Sequence, residues 1–506
     1  MFKSTAIISF FSIFGRISGY IRDVVIASYL GTGIYNDIFQ ACFRIPNFFR
    51  IIISEGITNL AFIPTYKSFD VNNNNSIAQK KNFTSSLFFF SLLIIVPIVL
   101  VIEIFMPQAI NFFAPGFKNL DNYSLSILIA RIIFPYTIFI VISSIFIGVL
   151  NSQKKFSITA SIQIILNILI CLALINFGNN QTDSIIAISY ACLVSGFFQI
   201  LILFYSIEKK FRVSFLVPKI TKEIKQFLLI LFPSFIIFFI FQFNKFLVYF
   251  LASYEVGAIS YIYFSERIYQ LPIGIISLSI TTAMLPVITG YLQSNQFDEA
   301  RNFFQKAFEY IMFFVIPSAF AFYFYSDLFV STLFERGQFT NISTQNTANV
   351  LKVFAIGLPA YACIPIFTQF FIINNKIKLF LTINVIISLI SLFLMIYLQG
   401  KNGYIGIIQG LIISYWGIFI AVVLYFFYDK FSFLTTKILY SIFVMFFSSI
   451  IMVIFLEYFL LSVELGKILT LFTIVTIGMI VYLLLNLIMN YQIINPIFNI
   501  ILKRKK

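Results

Sequence analysis

Long apolar stretches separated by short polar breaks make up almost the whole chain. Each stretch is about 20 residues long, which is the length of an α-helix that crosses the hydrocarbon core of a bilayer. The pattern predicts about 14 such spans and contains none of the short alternating strands of a membrane β-barrel. The sequence therefore predicts an all-α polytopic membrane protein. The expected spans are 5–30, 35–66, 84–107, 124–150, 158–177, 184–207, 224–250, 256–290, 307–326, 345–373, 379–398, 404–427, 438–461 and 468–490.

Basic residues distinguish the two faces of the membrane. When the breaks are assigned alternately to two sides, nearly all lysines and arginines outside the spans fall on the side of the N-terminus. The other side holds only Lys118, Arg336, Lys401 and Lys467. Because positively charged loops remain in the cytoplasm, both termini are predicted to be cytoplasmic. The first stretch lacks a cleavage site after its apolar region, so we expect a retained helix and not a signal peptide.

Composition supports the membrane class and excludes several kinds of chemistry. The chain is 60% hydrophobic and 10% charged, whereas a soluble domain is about 25% charged. It contains no histidine, which excludes zinc centres and catalytic triads built on imidazole. Its four cysteines lie singly in apolar segments, without the spacing of a disulfide or metal site. We expect no catalytic residue, metal or cofactor, and no nucleic-acid partner.

Eight cations lie inside the expected spans, where a charge is costly. On insertion scales each would cost about 2.5–3.5 kcal/mol if it faced lipid near the bilayer centre, so these side chains must face protein or water. An excess of arginine suits an anionic substrate, because a guanidinium binds phosphate through two hydrogen bonds and keeps its charge. The alternative is a structural ion-pair network with Asp23, Asp37, Glu55 and Glu266. The eight cations are Arg16, Arg22, Arg44, Arg50, Arg131, Lys245, Arg267 and Lys352.

Weak internal repeats divide the chain into two halves. Three pairs of identical residues are separated by the same number of residues: Pro135 and Pro359, Asn151 and Asn375, and Lys154 and Lys378. Arg44 and Arg267 are separated by nearly that number. We therefore predict two six-helix lobes, residues 1–215 and 216–430, related by a pseudo-two-fold axis along the membrane normal. Residues 431–506 would add two helices and a basic cytoplasmic tail.

Prolines inside the spans predict kinks, which helix bundles tolerate when neighbouring groups satisfy the freed carbonyls. These prolines are Pro46, Pro135, Pro233, Pro272, Pro317, Pro359 and Pro365.

Several motifs, in the same order along the chain, resemble the MurJ/MviN family of bacterial lipid II flippases. The resemblance begins in the first two spans and covers essentially the whole chain. It implies the fold of the MOP exporter superfamily and movement of undecaprenyl-diphosphate-linked disaccharide-pentapeptide from the cytoplasmic to the periplasmic leaflet of the inner membrane. The matching motifs are GRISGYIRDVVIASYLGTGIYNDIFQACFRIPNFFRIIISEGITNLAFIPTY (15–66), APGF (114–117), IFPYTIF (133–139), GVLNSQKKF (148–156), QFN (242–244), SERIYQLPIGI (265–275), LP (285–286) and LFERGQFT (333–340).

The resemblance also implies which residues line the transport cavity. The family's cavity arginines fall on Arg16, Arg22, Arg50 and Arg267, to which the charge pattern adds Arg44. Its cavity acids fall on Asp23, Asp37 and Glu55. The implied partners are the lipid-linked substrate, membrane lipids and other cell-wall synthesis proteins, and a monomer is expected. By the same resemblance the last two spans would form a groove for the polyprenyl tail; the alternative is an ordinary lipid-facing pair.

Three other functions remain to be weighed. A flippase for another polyprenyl-diphosphate-linked glycan, of the O-antigen or capsule type, would share these features. A pump for organic cations would need an excess of buried carboxylates, whereas this pattern is cationic. A membrane enzyme acting on polyprenyl phosphates would need paired catalytic carboxylates or a metal-binding loop, and the loops offer little beyond Asp298 and Glu299.

Overall fold

Every regular element that the structure describes is a helix. The computed structural model describes residues 2–50, 62–70, 76–214, 220–428, 433–461 and 466–489. A bilayer core offers no water to backbone amides and carbonyls, and a helix satisfies these groups within its own segment. The predicted class, an all-α polytopic membrane protein, is confirmed.

The first of two compact units comprises Met1–Ser260 and Arg336–Thr340. Two short 3-10 helices, Pro115–Asn119 and Lys209–Phe211, connect its longer elements. Its α-helices are α1 (Phe2–Leu30), α2 (Ile34–Arg50), α3 (Ile63–Ser68), α4 (Ser76–Ile104), α5 (Met106–Phe113), α6 (Tyr123–Ile133), α7 (Tyr136–Ser152), α8 (Phe156–Phe177), α9 (Gln181–Ser206) and α10 (Lys222–Ala252).

The second unit comprises Tyr261–Glu335 and Asn341–Lys506, and helix α11 (Ala258–Pro272) begins just before it. The predicted division into lobes at residues 215 and 430 concerns the sequence repeat and stays a prediction. The remaining helices are α12 (Leu278–Gln293), α13 (Phe297–Phe324), α14 (Ser326–Phe334), α15 (Asn341–Ile373), α16 (Ile377–Asn402), α17 (Tyr404–Tyr428), α18 (Thr436–Leu461) and α19 (Lys467–Met489).

Among the described residues, 11 helical segments are long and apolar enough to cross a membrane. They correspond to 11 of the expected spans. Of the other three expected spans, 5–30 and 224–250 lie within α1 and α10, and part of 35–66 lies outside the described residues, so the count of 14 stays a prediction. The segments are Ser76–Ile104, Tyr123–Ser152, Phe156–Phe177, Gln181–Ser206, Ala258–Gln293, Phe297–Phe324, Asn341–Ile373, Ile377–Asn402, Tyr404–Tyr428, Thr436–Leu460 and Lys467–Met489.

The helices accommodate their prolines in different ways. At Pro135 the chain leaves α6 and begins α7, and after Pro272 a single π-helical turn, Ile273–Ser277, precedes α12. Both changes accommodate the hydrogen bond that a proline cannot donate. Pro317 and Pro359, by contrast, lie inside the continuous helices α13 and α15.

In the first unit, α7 packs against α4 and α9, while α8 packs against α1 and α9. Aromatic side chains fill the contact between α3, α4 and α7: the Phe62 and Phe83 rings lie 5.7 Å apart, and both are buried. Because lipid is as apolar as these side chains, close packing and not hydrophobic transfer stabilises such contacts in a membrane.

In the second unit, α13 packs against α12, α15 and α18, and α15 packs against α17. Phenylalanine rings from several helices meet edge to face at one point, with Phe308 and Phe433 4.8 Å apart and Phe370 and Phe426 4.7 Å apart. This geometry brings the positive ring edge over the negative face, an arrangement worth about 0.5–1.5 kcal/mol per pair beyond the area buried.

One turn geometry recurs at the ends of α7, α12 and α15. Lys154, Asn295 and Asn375 adopt left-handed backbone with φ of 60°, 58° and 54°. In each case the next amide donates to the carbonyl five residues back, as Lys155 N does to Leu150 O at 2.9 Å. This pattern satisfies the last carbonyls of a helix that turns sharply into the next one.

The loop Arg336–Thr340 belongs to the first unit because its backbone lies directly on the end of α1. Gln338 N donates to Ser28 O at 2.8 Å. Gly31 and Gly337 both have positive φ, and a Cβ on either would lie within 2.4 Å of a carbonyl oxygen of the facing segment. Only glycine allows these two backbones to approach so closely.

Close backbone packing between α16 and α17 predicts a strong effect of one added methyl group. A Cβ at Gly406 would lie 2.1 Å from Leu398 O, whereas Gly400, near the same turn, has open space around it. We expect Gly406→Ala to destabilise the protein by about 1–3 kcal/mol through overpacking. Gly400→Ala should be neutral or slightly stabilising. Thermal unfolding of the two purified variants checks this, and equal Tm values would contradict it.

Candidate functional site

The first cation of the predicted site that is firmly held by protein is Arg22 on α1. Its Nη2 and Nε donate to Asp23 Oδ1 at 2.6 and 3.0 Å, and its Nη1 donates to Asn167 Oδ1 on α8 at 3.1 Å. Asn167 in turn donates to Ser18 Oγ at 2.9 Å. Arg22 and Asp23 are 7% and 3% exposed. This network neutralises two charges and links α1 to α8.

Arg16 lies about one and two-thirds turns before Arg22 and is exposed on the same helix. Glycines lie on either side of Arg16 in the sequence, at positions 15 and 19. Gly15 has open space around it, and at Gly19 the nearest atom is Asn167 Nδ2, 3.6 Å from where a Cβ would be. The structure therefore leaves room beside Arg16.

Asp37, near the start of α2, is 1% exposed and lies against the first turn of α11. Its carboxylate accepts hydrogen bonds from Gly257 N at 2.5 Å, from Ser260 N at 2.8 Å and from Ser260 Oγ at 2.5 Å. The first amides of a helix have no partner within the helix and carry partial positive charge, so an anion is stabilised there. Asp37 satisfies this helix end.

Arg44 and Arg50 both lie on α2 but have different neighbours. The Arg44 guanidinium carbon lies 3.2 Å from the centroid of the Tyr249 ring, a cation–π contact. Arg50 Nε donates to Asn47 Oδ1 at 2.8 Å, and Arg50 also lines a cavity of about 410 Å³ that is bounded by α2, α7, α8 and α9. Of the predicted cavity residues that the structure describes in the first unit, Arg50 is the one that lines this cavity.

Arg267 belongs to the second unit. It is exposed on α11, where its Nη2 donates to Tyr263 Oη at 2.9 Å and its guanidinium lies 4.6 Å from the centroid of that ring. The neighbouring Glu266 accepts from Gln270 Nε2 at 2.8 Å. The remaining predicted acid, Glu55, lies outside the described residues.

Apolar side chains of α7 and α8 form much of the cavity wall, and neutral polar groups that the charge-based prediction did not select lie among them. The polar groups include Tyr136, Ser143 and Asn151 on α7, Gln163 on α8 and Gln199 on α9. A signal was present in the sequence, because an amide inside an apolar span is costly unless it faces protein or water. Charge alone could not find these residues.

Outside the membrane spans, the LFERGQFT motif contributes Glu335 to an ion pair with Lys467. Glu335 accepts from Lys467 Nζ at 2.9 Å and from Thr344 Oγ1 at 2.8 Å. The hydrogen bond from Lys467 is the main reason that the pKa of Glu335 lies below its ordinary value. This contact joins the end of α14 to the start of α19 within the second unit.

Comparison with known proteins identifies the family. A family model described as "Lipid II flippase MurJ" matches residues 26–489. A "Probable lipid II flippase MurJ" from Rickettsia prowazekii (strain Madrid E) is 30% identical over 418 residues, which is 82% of each chain. A protein of the same description from Buchnera aphidicola subsp. Schizaphis graminum (strain Sg) is 27% identical over 500 residues, 95% of each chain.

Solved structures agree with this assignment. A lipid II flippase MurJ in an inward closed conformation superposes with a TM-score of 0.81 at 25% identity, covering 96% of this chain and 99% of that one. An outward-facing multidrug resistance MATE family transporter of the MOP superfamily gives a TM-score of 0.54 at 16% identity, covering 85% and 96%, and so shares the fold alone. The predicted resemblance is confirmed, and the chain belongs to the lipid II flippase MurJ family, a family of transporters and not of enzymes.

Proposed function

We propose that this protein moves lipid II from the cytoplasmic to the periplasmic leaflet of the inner membrane by alternating access. The family match over residues 26–489 is the observation that carries the proposal. The substrate is a polyprenyl diphosphate linked to a disaccharide-pentapeptide, so a transporter must give its charged head group a polar path across an apolar barrier.

Exposed arginines within apolar helices support an anionic substrate. Arg16 on α1 and Arg267 on α11 are both exposed. Facing lipid near the bilayer centre, each would cost about 2.5–3.5 kcal/mol, so a position facing water or an anion is favoured. A guanidinium also matches the geometry of a phosphate oxygen pair. These two residues, with Arg50, are our proposed diphosphate ligands, and Arg22, Arg44, Asp23, Asp37 and Glu55 complete the proposed cavity set.

The topology and organisation follow from the same proposal. Both termini would lie in the cytoplasm, and residues 1–215 and 216–430 would be the two rocking lobes, with residues 431–506 appended. We also predict that the protein acts as a monomer and works with other cell-wall synthesis proteins.

The function is tested by complementation of a bacterium depleted of its own flippase. The wild-type chain should restore growth and deliver lipid II to the periplasmic leaflet. Arg16→Ala and Arg267→Ala should each abolish complementation, because loss of one charged contact costs about 1.5–3 kcal/mol, or roughly 10- to 150-fold in affinity. The lysine variants should rescue in part, since an ammonium reaches one oxygen where a guanidinium reaches two.

Protein abundance in the membrane is the control for these variants. Normal abundance with lost function supports the substrate contacts, whereas low abundance would indicate a structural role. A wild-type chain that restores growth but leaves lipid II in the cytoplasmic leaflet would contradict the proposal itself.

Arg22 should behave as a structural residue, because it is buried and donates its hydrogen bonds to Asp23 and Asn167. Arg22→Gln leaves the buried Asp23 carboxylate without its cation, and breaking a buried pair in this way costs about 3–5 kcal/mol. We expect low abundance for this variant and restored abundance when Asp23→Asn is added. Normal abundance of the single variant, measured by immunoblot of membranes, would argue against a structural pair.

Cysteine labelling tests the orientation. In a background without the four native cysteines, Asn179→Cys between α8 and α9 should react with an impermeant maleimide added outside spheroplasts. Ser294→Cys between α12 and α13 should react only after the membrane is opened. Both positions are exposed. Labelling of both from one side would refute the predicted alternation of the breaks.

A further inference from the structure

The cavity inside the first unit has features of a ligand site. It measures about 410 Å³ and lies between α2, α7, α8 and α9. At about 30 Å³ per water molecule, this space is large enough for roughly a dozen waters. It falls within the range of about 300–1,000 Å³ that is typical of sites for small organic ligands.

Two buried polar atoms in the cavity wall have no hydrogen-bond partner among the residues that the structure describes. Gln199 and Ser143 are 4% and 5% exposed, and both Gln199 Nε2 and Ser143 Oγ are unpartnered. Tyr136 Oη lies 3.4 Å from Gln199 Oε1, which leaves the amide nitrogen available. Leaving a buried polar group without a partner is unfavourable, so a ligand that supplies partners would be stabilised here.

The lining indicates the chemical class of that ligand. Side chains of Asn151, Gln163 and Gln199 provide amides, and Tyr136 and Ser143 provide hydroxyls. Among the described residues that line the cavity, none is acidic. Amides and hydroxyls both donate and accept, so they match a neutral group that carries hydroxyls and amides itself. Arg50, at the same wall, supplies the cation for an attached phosphate.

We infer that this cavity receives the sugar that adjoins the diphosphate of the lipid-linked substrate. The inference rests on the proposed function and deepens it. The polar groups of this sugar bond with the amides and hydroxyls of α7, α8 and α9, while Arg50 contacts the phosphate. The first unit then recognises the carbohydrate by neutral hydrogen bonds, and the arginine recognises the anion.

The test compares two probes that differ only in the head group: lipid II and undecaprenyl diphosphate without sugar. Binding of each probe to the purified full chain in nanodiscs is measured by native mass spectrometry. Gln199→Leu removes a cavity amide, and Ala160→Leu fills the cavity from α8. Each should weaken lipid II binding about 5- to 10-fold and leave undecaprenyl diphosphate binding unchanged. Arg50→Ala should weaken the binding of both probes.

Two matched variants control for the chemistry of the changes. Asn176→Leu removes an exposed amide on α8 that bonds only within its own helix, to Leu172 O. Ala173→Leu enlarges a side chain on the same helix at a position that does not line the cavity. Neither should change the affinity for either probe.

The outcomes separate the inference from the function on which it rests. The sugar site would be overturned if Gln199→Leu and Ala160→Leu weakened the binding of both probes equally. It would also be overturned if they changed the binding of neither probe, which would mean that the cavity holds water only. If the wild-type chain binds lipid II no more tightly than a neutral phospholipid, the proposed function fails instead. The two cavity changes lie on different helices, so misfolding of one variant leaves the other decisive.

Discussion

A charge can lie among apolar helices only if a partner compensates it at close range, and the packing of the first unit depends on how this is achieved. Arg22 and Asp23 are neighbours on α1, so the helix carries both charges of the pair with it. The remaining nitrogen of the Arg22 guanidinium, Nη1, donates to Asn167, which ties α1 to α8. A buried ion pair contributes little net stability. The main effect of the network is therefore to determine which helix faces meet, and its contribution to the free energy of folding is small.

Helix ends impose the second constraint, since their amides and carbonyls have no partner within the helix. At the start of α11 the unpaired amides are satisfied by Asp37, a side chain from another helix. At the ends of α7, α12 and α15 the unpaired carbonyls are satisfied by a turn with one left-handed residue. Asparagine tolerates that conformation in two of these turns, but Lys154 adopts it at some cost, which the hydrogen bonds of the turn offset.

Hydropathy predicted the spans well because a bilayer leaves a helix as the only way for a single segment to satisfy its backbone. The repeat was harder to place from sequence. Its matched pairs include Lys154 and Lys378, yet the residue that shares the left-handed turn with Lys154 is Asn375. The helix is interrupted at Pro135, whereas Pro359 lies inside the continuous helix α15. Equal spacing in sequence therefore does not give equal positions along the two helices. Charge likewise located Arg22 and Asp37, but their partners Asn167 and Ser260 are distant in sequence and depend on packing.

The arginines and the amides of the first unit are suited to different tasks in a transport cycle. An arginine held by a carboxylate, as Arg22 is, remains fixed because separating two buried charges is costly. A neutral hydrogen bond contributes only about 0.5–1.5 kcal/mol net, since water can replace either partner. The proposed sugar site around Gln199 would therefore bind its head group through individually weak contacts and still release it. A carrier must do both, because a site that binds its cargo too tightly to let it leave would stop after one turnover.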